Sequence, residues 1–316
     1  MNSTRVARKV WRPGLLLAIL VLLASLRLYA STYTVILVTS ILMYIILTQS
    51  WVLFSGPTRY ISLASAAFFG VGIYSAAVLG MHLPLPVVVI AGALASSCLA
   101  LFVGALTLRL RGIYFAMFTF GLVELIKHLL LWYEIKFTGT RGRFVVLVDN
   151  NTIYYLMLAT LVALLLVAYF IRRSKYGLAL QSIGEDEEAA AHTGVNVTAV
   201  KVITFAISAS FMGAAGAIIA TRWTYVDPYI AFKSLFSFMP VLMAIFGGMG
   251  QFYGPVLGSA VFAYLEEVLI TRFPYHYMLL FGVILMIAIL YLPDGLVGLV
   301  QRLRRGGWAR GQHANT

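Results

Sequence analysis

The sequence predicts an all-α integral membrane protein of about ten transmembrane helices, with interrupted short helices and both termini in the cytoplasm. Of its 316 residues, 61% are apolar and 11% are charged, against about 25% charged residues in soluble domains. The mean hydropathy is +0.93. Since one span needs about 20 apolar residues, the chain has room for about eight to ten spans. Residues 1–316 are therefore predicted to form a single transmembrane domain.

The individual spans are bounded by charged residues and by proline or glycine. They are predicted at 13–30, 33–54, 61–80, 87–108, 112–133, 152–171, 201–221, 235–252, 255–271 and 276–293. The first run follows a basic segment, as the apolar part of a signal peptide does. It has no obvious small-residue cleavage site, so we expect it to be a retained span.

Basic residues predict the orientation of these spans. With ten crossings, 15 of the 23 Lys and Arg residues fall on the side of the termini and 7 on the opposite side. Cytoplasmic loops carry the excess of Lys and Arg, so both termini and the loop 172–199 are predicted to be cytoplasmic. The formal net charge of +12 then reflects orientation. No nucleic-acid binding is expected, because no basic stripe is interleaved with exposed aromatic residues.

Proline and glycine concentrate at 55–80 and 247–258, where apolar stretches are short. In transporters, interrupted short helices are the best sequence indication of a translocation path. The second stretch is not a nucleotide loop, because no strand precedes it and no Lys and Ser/Thr pair follows it. The candidate path residues in these stretches are Ser62, Gly70, Gly72, Gly247, Gly248 and Gly250.

Charged residues inside a span indicate a further candidate. Glu124, Lys127 and His128 share one face of the predicted fifth helix, so Glu124 can pair with either cation. Charges in the membrane face the bundle interior or a water-filled cavity by default. We therefore expect Glu124 to border the path. The alternative is a structural pair, with Lys127 extending toward the lipid headgroups.

Small residues repeat every four positions at Ala209, Gly213 and Ala217. This stripe predicts close helix packing. On the predicted outer side, Asp227-Pro228 favours a local cap or turn. The scattered histidines and the single cysteine indicate no metal site.

The cytoplasmic loop 172–199 contains four consecutive acidic residues at 185–188. A solvated acidic loop is one interpretation. The surrounding good helix formers favour another, a helix over 178–194 that Gly194 ends. Within it, Glu188-Ala189-Ala190-x-x-x-Gly194 resembles the E-A-A-x-x-x-G pattern of ABC importer permeases, whose short cytoplasmic helix docks on an ATPase.

Three further segments resemble the branched-chain amino acid ABC importer permeases, and the M-type subunit most. The stretch YISLASAAFFGVGIY (60–74) is similar to their S-L-G-H-A-A-F-F-G-I-G-A-Y, and RLRGIYFAM (109–117) to their R-L-x-G-x-Y-F-A-M. Residues 200–258 contain AAGA, YVDP and the glycine-rich string in the family's order. The sequence departs from the family at Arg59-Tyr60, Leu63-Ala64-Ser65 and the outer loop 138–142, which leaves the substrate open.

The resemblance implies a permease subunit of a bacterial inner-membrane importer, not an enzyme. It implies a homologous second permease, two cytoplasmic ATPase subunits and a periplasmic substrate-binding protein. The chain has no Walker motif of its own, so ATP is expected to be used by the partner ATPases and no cofactor by this chain. Glu188, Ala189, Ala190 and Gly194 are the implied ATPase-coupling residues.

Two alternatives remain open. Related permeases carry urea or short amides, and the departures from the family at Arg59 to Ser65 and at Arg141 allow such a substrate. A self-sufficient secondary transporter would explain the spans equally well, but it gives the string from Glu188 to Gly194 no purpose.

Overall fold

A computed structural model describes residues 29–110, 112–249 and 253–291, together with 22–23, 25–26, 295–296 and 298. The predicted first span at 13–30 lies mostly outside the described residues. Both chain ends and the candidate path residue Gly250 lie outside them entirely.

Twelve helices follow one another in the described part of the chain. They are α1 (Thr32–Thr58), α2 (Ser65–Leu79), α3 (Leu85–Thr107), α4 (Ile113–Tyr133), α5 (Asn150–Arg173), α6 (Lys175–Glu185), α7 (Glu187–His192), α8 (Val197–Ala220), α9 (Pro228–Ala231), α10 (Leu235–Gly247), α11 (Gly254–Arg272) and α12 (Tyr277–Tyr291). A π-helical turn, Glu134–Thr138, continues α4. Two short strands, β1 (Arg143–Phe144) and β2 (Tyr225–Val226), pair antiparallel.

Seven helical segments among the described residues are long and apolar enough to cross a membrane. They are α1, α3, α4 with its π-turn, α5, α8, α9 with α10, and α11. The predicted all-α membrane fold is therefore confirmed, apart from the two short strands. Each predicted span after the first corresponds to a helix, but α2 and α12 have only 15 residues. Ten crossings and cytoplasmic termini stay predictions.

Close packing of α2 and α3 against α8 forms the centre of the bundle. Gly72 of α2 lies so near Gly213 of α8 that a Cβ atom at Gly72 would overlap the Gly213 carbonyl oxygen. Gly92 of α3 also lies close to α8, since a Cβ atom at Gly92 would be 3.0 Å from the Cβ of Ala217. In lipid, helices associate through such van der Waals packing because no hydrophobic force drives them together. The packing role predicted for the stripe of Ala209, Gly213 and Ala217 is confirmed at Gly213 and Ala217.

The first predicted interruption is a non-helical segment, 59–64, between α1 and α2. Side chains of the bundle satisfy its backbone. Trp51 Nε1 donates to the Ser62 carbonyl oxygen at 2.7 Å, and the Leu63 N–H donates to Thr119 Oγ1 at 3.0 Å. Non-helical backbone is tolerated at membrane depth where protein buries it in this way.

The second predicted interruption lies between α10 and α11. Helix α10 ends at Gly247, and Gly248 has a φ of +94°, a conformation that favours glycine. The chain returns so closely that a Cβ at Gly247 would overlap the Gly254 carbonyl oxygen. Larger residues at these positions would force the two helices apart.

The single helix predicted over 178–194 is wrong, because the structure has two helices, α6 and α7, divided at Asp186. Asp186 is extended, and its Oδ1 accepts hydrogen bonds from the N–H groups of Glu188 at 2.9 Å and Ala189 at 3.0 Å. An aspartate that caps a new helix in this way ends the preceding one.

Gly194 ends the second of these helices, as predicted. It has a φ of +86°. The N–H of Gly194 donates to the Ala191 carbonyl oxygen at 3.0 Å, and that of Val195 to Ala190 at 3.3 Å. This pair of bonds is the Schellman motif, in which a left-handed glycine follows the helix.

Candidate functional site

The predicted coupling residues lie on α7, which packs against the end of the bundle. Ala190 is buried with Leu180 and Ile183 of α6 and Val200 of α8 in a small apolar cluster. Glu188, Ala189 and Gly194 are exposed. The structure thus divides the predicted set into one residue that anchors α7 and three on the surface.

Helix α6 approaches the ends of two spanning helices, α1 and α5, through glycines. A Cβ at Gly184 would overlap the Pro57 carbonyl oxygen of α1, and one at Gly177 would overlap the Ile171 carbonyl oxygen of α5. Between these contacts a cavity of about 240 Å³ separates α6 from α1 and α5, and its lining includes Arg59. Contact between α6 and the spans is therefore partial.

A polar cluster centred on a buried lysine lies beneath α7. It consists of Tyr60, Glu187 and Lys201, and we call it the Lys201 cluster. Lys201 Nζ lies 2.7 Å from Glu187 Oε1, and it donates to Tyr60 Oη at 3.2 Å and to the Leu108 carbonyl oxygen at 2.9 Å. Tyr60 Oη donates to Glu187 Oε2 at 2.6 Å. The Lys201 ammonium also lies 4.6 Å from the centre of the Tyr60 ring.

These contacts use all three donors of the Lys201 ammonium. The Lys201 side chain is only 2% exposed and that of Glu187 is 21% exposed. A buried charge is tolerated when it is paired and its hydrogen bonds are satisfied, and both conditions hold for Lys201. Lys201 is one of the basic residues counted on the predicted cytoplasmic side. Its charge therefore also forms a specific pair with Glu187.

A second polar cluster lies between the C-terminal half of α4 and the start of α10. It consists of Glu124, Lys127 and Ser234, and we call it the Glu124 cluster. Glu124 forms an ion pair with Lys127, and Ser234 Oγ donates to Glu124 Oε1 at 3.1 Å. His128 Nε2 lies 3.8 Å from the same carboxylate. The predicted pairing is confirmed, and Ser234 adds a link between α4 and the start of α10. Whether Glu124 borders a path stays a prediction.

The loop after α4, which is predicted to lie on the outer side, is fixed by two further acidic residues. Asp227 accepts from the Ile230 N–H at 2.8 Å, which makes it the N-cap of α9, as the Asp-Pro dipeptide predicts. It also pairs with Arg141 at 3.0 Å. Glu134 is buried and accepts from the Gly142 N–H at 2.9 Å. The charge that Arg141 adds to this loop is therefore balanced locally.

The other candidate path residues lie in tight helix contacts. Ser62 is buried, and Gly70 is packed against the ring of Phe232. Gly72 and Gly247 pack against backbone, as described above. These contacts explain why the positions are small, and a path role for Ser62, Gly70, Gly72, Gly247 and Gly248 stays a prediction.

Tyr60, Glu187 and Lys201 are not predicted from the sequence to form one cluster. The available signal was a lysine four residues after the start of an apolar helix, since such a charge requires a partner. The described residues contain no group of three or more His, Cys, Asp or Glu side chains that could hold a metal ion.

Comparison with known proteins adds a family to this geometry. The family model described as branched-chain amino acid transport system / permease component matches residues 33–290. The match covers the spans from α1 to nearly the end of α12, including α6 and α7.

Individual relatives agree with this match. The chain is 27% identical to the high-affinity branched-chain amino acid transport system permease protein LivM of Salmonella typhimurium, over 95% of this chain and 78% of the relative. It is 27% identical to LivH of Escherichia coli K12, a permease protein of the same named system, over 45% of this chain and 46% of the relative. The ribose import permease protein RbsC of Haemophilus influenzae is 24% identical over 39% and 40%. No solved structure matches the chain.

Proposed function

The chain belongs to the family of branched-chain amino acid transport system permease components, and on this premise we propose that it is the membrane-spanning permease subunit of an ATP-driven importer for branched-chain amino acids. Its activity is transport and not catalysis. It resides in the inner membrane of a bacterium, and its spans form one side of a translocation path.

Three kinds of partner complete this importer. A homologous second permease forms the other side of the path; the likeness to both LivM and LivH supports this pairing. Two cytoplasmic ATPase subunits bind and hydrolyse ATP, and a periplasmic binding protein delivers the substrate to the outer face.

The proposal rests on one observation: the short helix α7 is held in a fixed position with part of its surface exposed. This helix has six residues, and isolated helices of that length are unstable in water. The Asp186 cap, the turn at Gly194 and the burial of Ala190 nevertheless hold it in place, with Glu188 and Ala189 exposed. A rigid exposed helix at the end of the bundle is what a docking ATPase requires.

The proposed path follows the interrupted helices and the Glu124 cluster. Ser62 precedes the short helix α2, and Gly70 lies within it. Gly247 and Gly248 lie where α10 ends. Glu124 contributes an acidic side chain to the cavity wall, and Lys127 lowers the cost of its charge.

Reconstitution tests the proposal. The chain is purified with the second permease and the ATPases of its own genome neighbourhood and placed in proteoliposomes with the binding protein. We expect stable association with the ATPases and uptake of radiolabelled leucine that requires ATP. Full leucine transport by the isolated chain without ATPases would contradict the importer proposal and support a secondary transporter.

The same assay decides the substrate. Leucine, urea and acetamide are offered in parallel, with vesicles lacking the binding protein as the control. ATP-dependent uptake of urea or acetamide in place of leucine would keep the permease role and overturn the assigned substrate class.

A further inference from the structure

Helix α7 is connected to the spanning helices through few contacts. Its C-terminal half rests on the apolar cluster around Ala190, which it shares with α6 and the start of α8. Its N-terminal turn carries Glu187, whose carboxylate reaches into the bundle. The position of that turn relative to the spans therefore depends on the Lys201 cluster.

The Lys201 cluster joins four separate segments of the chain. Glu187 belongs to α7 and Lys201 to α8, while Tyr60 belongs to the non-helical segment 59–64. The Leu108 carbonyl oxygen stands at the end of α3. Each carboxylate oxygen of Glu187 has a different partner, one Lys201 and the other Tyr60. A displacement of α7 cannot leave these bonds intact unless segment 59–64 moves with it.

Segment 59–64 leads directly into α2. Tyr60 also packs edge-on against Phe115 of α4, with ring centres 5.4 Å apart. Two residues later, the Ser62 carbonyl oxygen is held by Trp51. Helix α2 is in turn packed on α8 at Gly72 without space for a methyl group. Close-packed elements of this kind transmit small displacements because they are not continuously deformable.

We propose that Tyr60, Glu187 and Lys201 form the mechanical connection through which α7 moves segment 59–64 and helix α2, so that they are positioning residues for coupling ATP hydrolysis to transport. This inference rests on the proposed function, since it requires an ATPase on α7. It assigns coupling to residues outside the E-A-A pattern, and it makes Glu187, rather than Glu188, the acidic residue that faces inward.

A purely structural ion pair is the competing explanation, and the two differ in one respect. Replacing both members of a buried pair with apolar residues of similar size commonly restores stability. It does not restore the directional bonds from α7 to Tyr60. Stability and coupling should therefore recover together only if the pair is merely structural.

The test uses the reconstituted complex with radiolabelled leucine, and it measures ATP hydrolysed per leucine imported at equal amounts of assembled complex. We expect Lys201→Met and Tyr60→Phe each to raise this ratio roughly tenfold, within the range of a typical coupling free energy between two sites. Lys136→Met is the matched control at an exposed outer position. It should leave the ratio unchanged.

The double variant Lys201→Met/Glu187→Met separates the two explanations. We expect it to regain the thermal stability of the wild-type complex while its ratio of ATP to leucine stays high. A wild-type ratio in the double variant, or in both single variants, overturns the connection. If the wild-type chain binds no ATPase and imports no leucine with its partners present, the proposed function itself has failed.

Discussion

The Lys201 cluster and the Glu124 cluster both contain a lysine paired with a glutamate, but they are built differently. Lys201 and Glu187 come from different helices, and Lys201 is 2% exposed with three acceptors around its ammonium. Lys127 and Glu124 stand three residues apart on one helix, and their side chains are 12% and 35% exposed, against 2% and 21% for Lys201 and Glu187. The first pair joins distant segments of the chain, whereas both members of the second pair belong to the same helix.

Burial decides what each pair contributes. An exposed pair gains little because water and salt screen it and because two long side chains lose their freedom. A buried pair contributes little net stability when intact, yet breaking it leaves one charge without compensation in a medium of low polarity. The two clusters should therefore respond differently to the loss of one partner.

The largest expected effect is on stability when Lys201 is replaced by Met. Because the replacement removes a buried ammonium and breaks its pair with Glu187 and its bond to the Leu108 carbonyl oxygen, the free energy of unfolding should fall by about 3–5 kcal/mol. Thermal unfolding in detergent measures this, with Lys136→Met as the control. A melting temperature equal to that of the wild type would show that the cluster is not buried as described.

Tyr60→Phe should have a smaller effect. It keeps the ring against Phe115 and removes only the hydroxyl, which donates to Glu187 and accepts from Lys201. Hydrogen bonds to charged groups contribute about 1.5–3 kcal/mol, so the unfolding free energy should fall by that amount. A larger loss than with Lys201→Met would contradict the ranking, because the ion pair is intact in this variant.

The same contrast explains what the sequence could predict. Glu124 and Lys127 can be paired from the sequence because the geometry of a helix places positions i and i+3 side by side. Hydropathy predicts the spans for the same reason, since each depends on consecutive residues. The Lys201 cluster draws its residues from positions 60, 187 and 201, and only the packed fold brings such segments together.

For helices α6 and α7, the sequence predicts where the second helix ends but not where the first one ends. Gly194 is predicted correctly because a left-handed residue after a helix favours glycine. The break at Asp186 is missed, because three neighbouring glutamates are good helix formers, and only the capping bonds of the aspartate favour two helices over one.

Replacement of Gly194 tests the surface of α7. A side chain at its φ of +86° costs about 1–2 kcal/mol for the left-handed conformation, and a Cβ atom there would have no other atom within 4 Å. Gly194→Leu should therefore insert and fold, while ATP hydrolysis continues with reduced leucine uptake. Gly121→Leu is the matched control, at an open position of α4 without a positive φ. Wild-type uptake by the Gly194 variant in vesicles would remove this residue from the coupling surface.

The smallest effect on stability is expected at Glu124. Glu124→Gln removes a partly exposed pair on one helix, so the unfolding free energy should change by only about 0.2–1 kcal/mol, and the amide can still accept from Ser234. A path role predicts that leucine uptake falls although the complex assembles and unfolds almost as the wild type does. His128→Gln, on the same helix face, removes the other basic neighbour while keeping Glu124 and Lys127, and should leave uptake close to normal. If a folded, assembled Glu124→Gln complex transports leucine at the wild-type rate, the carboxylate is only the structural partner of Lys127. The two clusters would then differ in function as well as in burial, because only the one beneath α7 would take part in transport.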